Sequence, residues 1–162
     1  MAISKGDQLP DATLVELTDK GPAQISLKER LAGRNVVIFA LPGAYTGTCT
    51  TAHVPSFIRT ADQFRDKGVD EIVCLSVNDP FVMGAWGKDT GADKAGITMM
   101  GDPDAEFTKA VGMDFSAPPV GLINRSKRYA MYVQDGTVSV IQAEENPGQC
   151  DISGGEALLD AI

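Results

Sequence analysis

Pro42-Gly-Ala-Tyr-Thr46-Gly47-Thr48-Cys49 is the stretch of this chain whose residue types could do chemistry. It follows Asn35-Val-Val-Ile-Phe-Ala-Leu41, an apolar run of strand length, and precedes Thr50 to Lys67, which reads as a helix. Pro42 and Gly43 end the strand. Cys49 therefore stands where a helix begins, beside unpaired backbone N–H groups and a partial positive charge. That field favours the thiolate, the nucleophilic form of sulfur. Thr46 puts a hydroxyl where a Cys-x-x-Cys corner would put its second thiol. Dithiol exchange at this one corner is excluded, so oxidation of Cys49 would stop at the sulfenic acid until another thiol arrives.

Three further residues compete for a role. His53, the single histidine, lies four positions after Cys49 on the same helical face. It is either a base or imidazolium acting on Cys49, or a partly buried helix residue near the pocket. A Cys–His hydrolase is disfavoured, because no third group is evident to orient the imidazole and i, i+4 on one helix is poor nucleophile–base geometry. Cys74, inside Glu71-Ile-Val-Cys-Leu-Ser-Val77, reads as a small buried hydrophobe. Cys150 lies in the Pro/Gly-containing loop Glu144 to Ser153, which could move toward Cys49. Three cysteines cannot all pair, and their spacing matches neither a disulfide scaffold nor a zinc site. No cofactor or metal is expected.

The elements that must position these residues alternate in type. Ala12 to Leu17 reads as an edge strand. Ile25 to Leu31 reads as a short helix with Ser26 as N-cap, Glu29 three residues on, and Gly33 as its stop. Val54, Phe57, Ile58, Ala61 and Phe64 recur at helical spacing after Cys49, with Pro55 in the first turns. Strand Glu71–Val77, a helix opened by Asn78-Asp79-Pro80, a short strand Ile97–Met100 and a helix from Asp102-Pro103 to Val111 come next. This order predicts right-handed crossovers and a parallel centre. Lys127–Val133 and Thr137–Ala143 flank Gln134-Asp135-Gly136, a strong hairpin signal. A terminal helix over 156–162 completes a thioredoxin-like α/β plan, a mixed central sheet with helices on both faces and N-terminal additions.

One domain over residues 1–162 accommodates a chain that is 43% hydrophobic and 22% charged. A net charge of -8 argues against nucleic acid or an anionic membrane as partner. No apolar run approaches the roughly 18 residues of a membrane span, and no signal pattern opens the chain. A soluble cytoplasmic protein with free thiols is the expectation.

Pro42-x-x-x-Thr46-x-x-Cys49 resembles the P-x-x-x-T-x-x-C signature of the peroxiredoxins. The surrounding residues through Thr50-Thr-Ala-His-Val-Pro-Ser-Phe57 are similar to the subgroup of the type-two plant enzymes and the fifth mammalian form. Ile72 to Phe81, Trp86-Gly87, Ser126-Lys-Arg-Tyr129 and Val133-Gln-Asp-Gly136 extend the likeness over the whole chain. The resemblance implies a thiol peroxidase for hydrogen peroxide and alkyl hydroperoxides, serving antioxidant defence. It makes Cys49 the peroxidatic cysteine, Thr46 its hydroxyl partner, Pro42 the shield and Arg128 the guanidinium. The N–H groups of Thr48 and Cys49 could then bind sulfur and peroxide, with Gly47 and His53 bordering the substrate. Lys127 and Arg125, beside Arg128, read as solvated.

Two departures from the resembled pattern stand out. Gly47 replaces a proline frequent in relatives. Relatives that resolve the sulfenic acid internally carry a cysteine immediately before the serine matching Ser153, where this chain has Ile152 and places Cys150 two positions earlier. Cys150 stays a candidate resolving thiol, and the favoured reductant is external: glutathione with glutaredoxin, or thioredoxin. A homodimer with Tyr45, Phe81 and Trp86 near its contact is also implied.

Overall fold

Alternation along one strand shows how the chain is layered. The computed structural model describes residues 2–162; Met1, where the N-terminal reading begins, lies outside the described residues. In β3 (Asn35–Ala40), Val37 and Phe39 point into one core while Val36, Ile38 and Ala40 point into another. A strand apolar on both faces needs cover on both, and helices supply it. The helices α2 (Val54–Asp66), α3 (Pro80–Thr90) and α5 (Gly155–Ala161) bury Phe57, Phe64, Trp86 and Leu158 on the first side. The helices α1 (Leu27–Leu31) and α4 (Glu106–Ala110) bury Leu27, Leu31 and Phe107 on the other.

The sheet has seven strands in the order β2-β1-β5-β4-β3-β8-β9. Its centre is parallel: β4 (Glu71–Ser76) lies between β3 and β5 (Thr98–Gly101). β8 (Tyr129–Gln134) runs antiparallel to β3, and β9 (Thr137–Ala143) closes that edge. The two strands meet through Asp135 and Gly136, both at positive φ (49° and 81°), the conformation a two-residue hairpin demands. The expected mixed sheet is present, as are the caps: Ser26 Oγ accepts from Glu29 N–H at 3.3 Å and Asp79 Oδ1 from Val82 N–H at 2.8 Å.

Four features depart from the sequence reading. α4 begins at Glu106 and not at Asp102-Pro103, because Asp102 turns its carboxylate back to accept from Thr108 N–H at 2.8 Å. β1 (Thr13–Thr18) is not an edge strand, because β2 (Gly21–Ser26) pairs outside it. Pro22 is tolerated in β2 because an edge strand has one unpaired side. A second, two-stranded sheet, β6 (Asp114–Ala117) with β7 (Leu122–Ser126), arises where no strand was expected. Finally, the helix after Cys49 opens as a π turn over Cys49–His53, in which Val54 N–H bonds to Cys49 O. Pro55 has no N–H to give and its ring would strike the carbonyl four residues back, so the turn widens before α2 begins.

α5 docks where Gly155 meets α2; a Cβ there would strike Ser56 O and Thr60 Oγ1, while Gly155 N–H donates to Ser56 Oγ at 2.9 Å. On the same face Phe57 stacks on Phe39 with ring centroids 4.0 Å apart, and Phe64 continues the stack at 5.7 Å. Phe64→Ala is expected to lower unfolding free energy by about 3–5 kcal/mol, read from the urea midpoint; a loss under 1 kcal/mol would show that the core refills the gap.

Candidate active site

β3 and β8 bring the chemistry together. Ala40 is the register partner of Tyr129, so the residues just past the end of β3 lie beside Arg128, just before β8. The loop from Pro42 leads into a first turn beginning at Gly47, and its first intrahelical bond runs from Thr50 N–H to Thr46 O at 3.1 Å. The N–H groups of Gly47, Thr48 and Cys49 precede that bond and have no carbonyl behind them in the helix.

Arg128 is 1% exposed and donates to three groups. Its Nη2 lies 3.2 Å from Cys49 Sγ, Nη1 lies 2.9 Å from His53 Nδ1, and Nε lies 3.0 Å from Pro147 O. Cys49 is itself 1% exposed. Among the described residues no carboxylate pairs with this guanidinium; its one partner able to carry negative charge is the sulfur. A charge-assisted N–H bond of this kind is stronger to a thiolate than to a thiol.

Of the two places offered by the sequence, His53 takes that of a helix residue near the pocket, and it is fully buried. Ser153 O can only accept, so His53 Nε2, 2.9 Å away, carries the proton; Nδ1 then presents its lone pair to Arg128. Burial and the nearby guanidinium push the imidazole pKa down to about 3, against a smaller raising effect of the Ser153 bond. Both nitrogens are occupied, so His53 is neither a base nor an imidazolium for Cys49. It holds Arg128 from behind.

Thr46 also differs in part. Its Oγ1 donates to Gly43 O at 2.7 Å, leaving lone pairs, not a proton, for a ligand. As a hydroxyl partner Thr46 is thus an acceptor. The loop can double back this tightly because Tyr45 takes the left-handed conformation (φ 64°), a strain of about 1–2 kcal/mol for a side-chain-bearing residue. Tyr45 Oη donates to Asp89 at 2.7 Å, which ties the strained residue to α3.

Pro42, Thr46, Gly47, Thr48 and Arg128 line one cavity of about 450 Å³, walled further by Phe115, Ala117 and Leu122 of β6–β7 and by Pro147. Thr48 Oγ1 donates to Gly148 O at 3.0 Å, fastening the 144–153 loop to the turn beside Cys49. Cys150 is unpaired and half-buried, with Ser153 Oγ 4.0 Å from its sulfur; burial raises its pKa. Cys74 is fully buried in β4, and burial pushes its thiol well up, as a core residue requires. Trp86 is fully buried in the core, with its indole N–H donating to Thr50 Oγ1 at 3.2 Å. Tyr45 and Phe81 are exposed, at 53% and 61%.

Arg125 was read as solvated, and the structure corrects this. Its Nη1 donates to Pro42 O at 3.1 Å, and it fills the space above Gly43 that any Cβ would need. Asn78 Oδ1 holds the same loop from the other side, accepting from Ala44 N–H at 3.0 Å. The signal available in the sequence was Gly43 itself, a residue that permits close approach.

The whole chain is similar to known proteins. The model of the Redoxin family matches residues 4–159. The chain is 44% identical to the chloroplastic peroxiredoxin-2E-2 of Oryza sativa subsp. japonica over 164 residues, covering 99% of this chain and 72% of that protein. It superimposes on reduced Prx3 of Vibrio vulnificus, crystallised in complex with H2O2, with a TM-score of 0.92 and 44% identity over 98% of both chains. Peroxiredoxin 5 of Alvinella pompejana matches with a TM-score of 0.85 and 31% identity, over 98% of this chain and 97% of that one. The chain belongs to the Redoxin family, as a peroxiredoxin of the type-two and type-five kind. It is a thiol-dependent peroxidase of antioxidant defence.

Two outcomes follow from this geometry. Below pH 6.5 an unfolded histidine takes up a proton while His53 stays neutral down to about pH 3. Unfolding therefore binds a proton in that window, and stability falls as pH drops through it, by several kcal/mol at most. His53→Asn should show a shallower fall in urea titrations between pH 7 and 3; equal slopes would contradict a buried neutral imidazole. Arg125→Ala should slow peroxide reduction by on the order of tenfold through displacement of the Pro42 loop, with Arg125→Lys recovering part. Wild-type rates in Arg125→Ala would remove it from the positioning of the site.

Proposed function

We propose that Cys49 is the residue that attacks peroxide, with Arg128, Thr46 and Pro42 completing the site. The observation that carries this reading is the 3.2 Å contact between a buried guanidinium and Cys49 Sγ at the first turn of a helix. The Cys49 thiolate attacks one oxygen of R–O–O–H. An S–O bond forms, the O–O bond breaks, and RO⁻ leaves to take a proton as water or alcohol. Sulfur loses two electrons and becomes sulfenic acid; the peroxide gains them. Arg128 and the N–H groups of Thr48 and Cys49 face charge that moves from sulfur to the departing oxygen. Thr46 Oγ1, its own proton given to Gly43 O, accepts from the peroxide hydroxyl and so orients the O–O bond. Pro42 and Gly47 shape the wall and limit water.

Recycling uses an external thiol, glutathione with glutaredoxin or thioredoxin. The first thiol forms a mixed disulfide with Cys49 and releases water; the second restores the cysteine and leaves as disulfide. Cys150 faces Ser153 and the 144–153 loop, which supports a bystander role. A reducing compartment such as the cytoplasm suits three unpaired cysteines. A homodimer would cover the exposed Tyr45 and Phe81.

Peroxide consumption by the reduced protein with glutathione and glutaredoxin, then with thioredoxin, tests this assignment. Cys49→Ser should abolish turnover, Arg128→Ala should lower it by about 10²-fold or more, and Cys150→Ser should retain it. Turnover surviving in Cys49→Ser would refute the assignment; its loss in Cys150→Ser would make Cys150 the resolving thiol.

A further inference from the structure

One carboxylate fastens the loop that supplies two of the three acceptors at Arg128 and His53. Glu144 begins that loop, and its backbone N–H donates to Arg128 O at 3.0 Å. Its side chain closes the other end: Oε2 accepts from Asp151 N–H, Ser153 N–H and Ser153 Oγ at 2.8, 2.8 and 2.6 Å. Among the described residues no cation lies within ion-pair distance of Glu144, so its carboxylate is committed to the loop. Bonds to a carboxylate are roughly twice as strong as those between neutral groups.

What this clasp fixes is reached through Ser153. Ser153 is fully buried, and its carbonyl accepts from His53 Nε2 at 2.9 Å. His53 Nδ1 accepts from Arg128 Nη1 at 2.9 Å, and Arg128 Nη2 lies 3.2 Å from Cys49 Sγ. Glu144, Ser153, His53, Arg128 and Cys49 thus form one unbroken chain of contacts. Pro147 O, which accepts from Arg128, and Gly148 O, which accepts from Thr48, lie within the same clasped loop. The neighbouring helix does not do this work. α5 is anchored to α2 at Gly155, but Gly154 before it is extended (φ -70°, ψ 163°) and brings no capping side chain. The direction of the Ser153 carbonyl is therefore set from the loop side.

We propose that Glu144 is a positioning residue for peroxide reduction, holding the Ser153 carbonyl where it fixes the His53 tautomer and, through it, the Arg128 guanidinium at the sulfur. The inference rests on the assignment of Cys49 and Arg128 above. It adds a residue whose carboxylate reaches the sulfur only through Ser153, His53 and Arg128. Without the clasp Ser153 O leaves Nε2, and the imidazole proton is free to move to Nδ1. An Nδ1–H would set a donor against the donors of Arg128, and the guanidinium would swing from the sulfur. The action is one of placement. Glutamine has the shape of Glu144 and keeps an oxygen acceptor for the three donors, whereas aspartate keeps the charge but is one methylene short.

The single histidine makes this chain readable by heteronuclear NMR of the imidazole, alongside stopped-flow oxidation of the reduced protein by hydrogen peroxide. The wild type should show one slowly exchanging Nε2–H. Glu144→Ala and Glu144→Asp should lose that protection and slow oxidation of Cys49 by on the order of tenfold, since a shift of about 1 Å can cost 10²-fold. Glu144→Gln should stay close to wild type in both readouts. Wild-type imidazole signals and rates in folded Glu144→Ala would overturn the proposal. A slower rate with the His53 signal unmoved would overturn it too, because the effect would then bypass the imidazole. If Glu144→Ala does not fold, the other two variants decide: Glu144→Asp outperforming Glu144→Gln would make charge, not placement, the cause. Failure of hydrogen peroxide to oxidise Cys49 in the wild type would instead overturn the assignment beneath the proposal.

Discussion

A buried guanidinium without a carboxylate is the constraint to which the rest of this site answers. Arg128 is 1% exposed and finds, in place of an acid, one sulfur, one imidazole nitrogen and one carbonyl oxygen. Desolvating such a charge costs several kcal/mol, and neutral acceptors recover only part. The group set against that charge is the sulfur of Cys49, so on the proposed reading the arrangement that accommodates Arg128 also serves the chemistry. His53 completes this logic by staying neutral: its Nε2–H is committed to Ser153 O, which forces a lone pair toward Arg128. A protonated imidazole there would face a second cation with no counterion.

Meeting across 79 residues requires the sheet. Antiparallel pairing of β3 with β8, in the register Ala40 with Tyr129, sets the end of one strand beside the start of the other. Polar groups leaving the sheet at that edge converge without long loops. The small β6–β7 sheet then supplies what the main sheet cannot. Arg125 and Phe115 are cross-strand partners in it; one pins the Pro42 carbonyl and the other walls the cavity. Arg125 and Arg128 thus approach the same loop from two different sheets.

Local rules made the corner legible. An apolar run stopped by Pro42-Gly43, a capped α1, an Asp79 cap with Pro80 at the start of α3, and Asp135-Gly136 each leave a mark within a few residues, and each element lies close to where those marks put it. What failed depended on distant partners. Arg125 looks solvated until Pro42, 83 residues away, is placed beside it. His53 is left open between base and structural residue until Ser153, 100 residues away, claims its proton. Ala117-Pro-Pro-Val-Gly121 breaks any alternation, so the strands around it are invisible to periodicity. The π turn carries one local trace, Pro55, whose effect could be a kink, a first-turn proline or a widened turn, and sequence alone does not choose among them.

The closed site also explains why two halves of one reaction make opposite demands. Attack on peroxide gains from a sulfur sealed from water, with its donors fixed. Reduction needs a bulky thiol within bonding distance of that same sulfur. The seal consists of a few hydrogen bonds from the 144–153 loop: Thr48 to Gly148 O, Arg128 to Pro147 O and His53 to Ser153 O. The two neutral bonds are worth about 0.5–1.5 kcal/mol net each and the guanidinium bond about 1.5–3 kcal/mol, so the loop is held by a few discrete contacts. Arg128 ties sulfur, helix and loop into one unit. On the proposed reading, oxidation of Cys49 to the sulfenic acid changes the partner of one of those three bonds, so the chemistry acts on its own enclosure at the step where a second thiol enters.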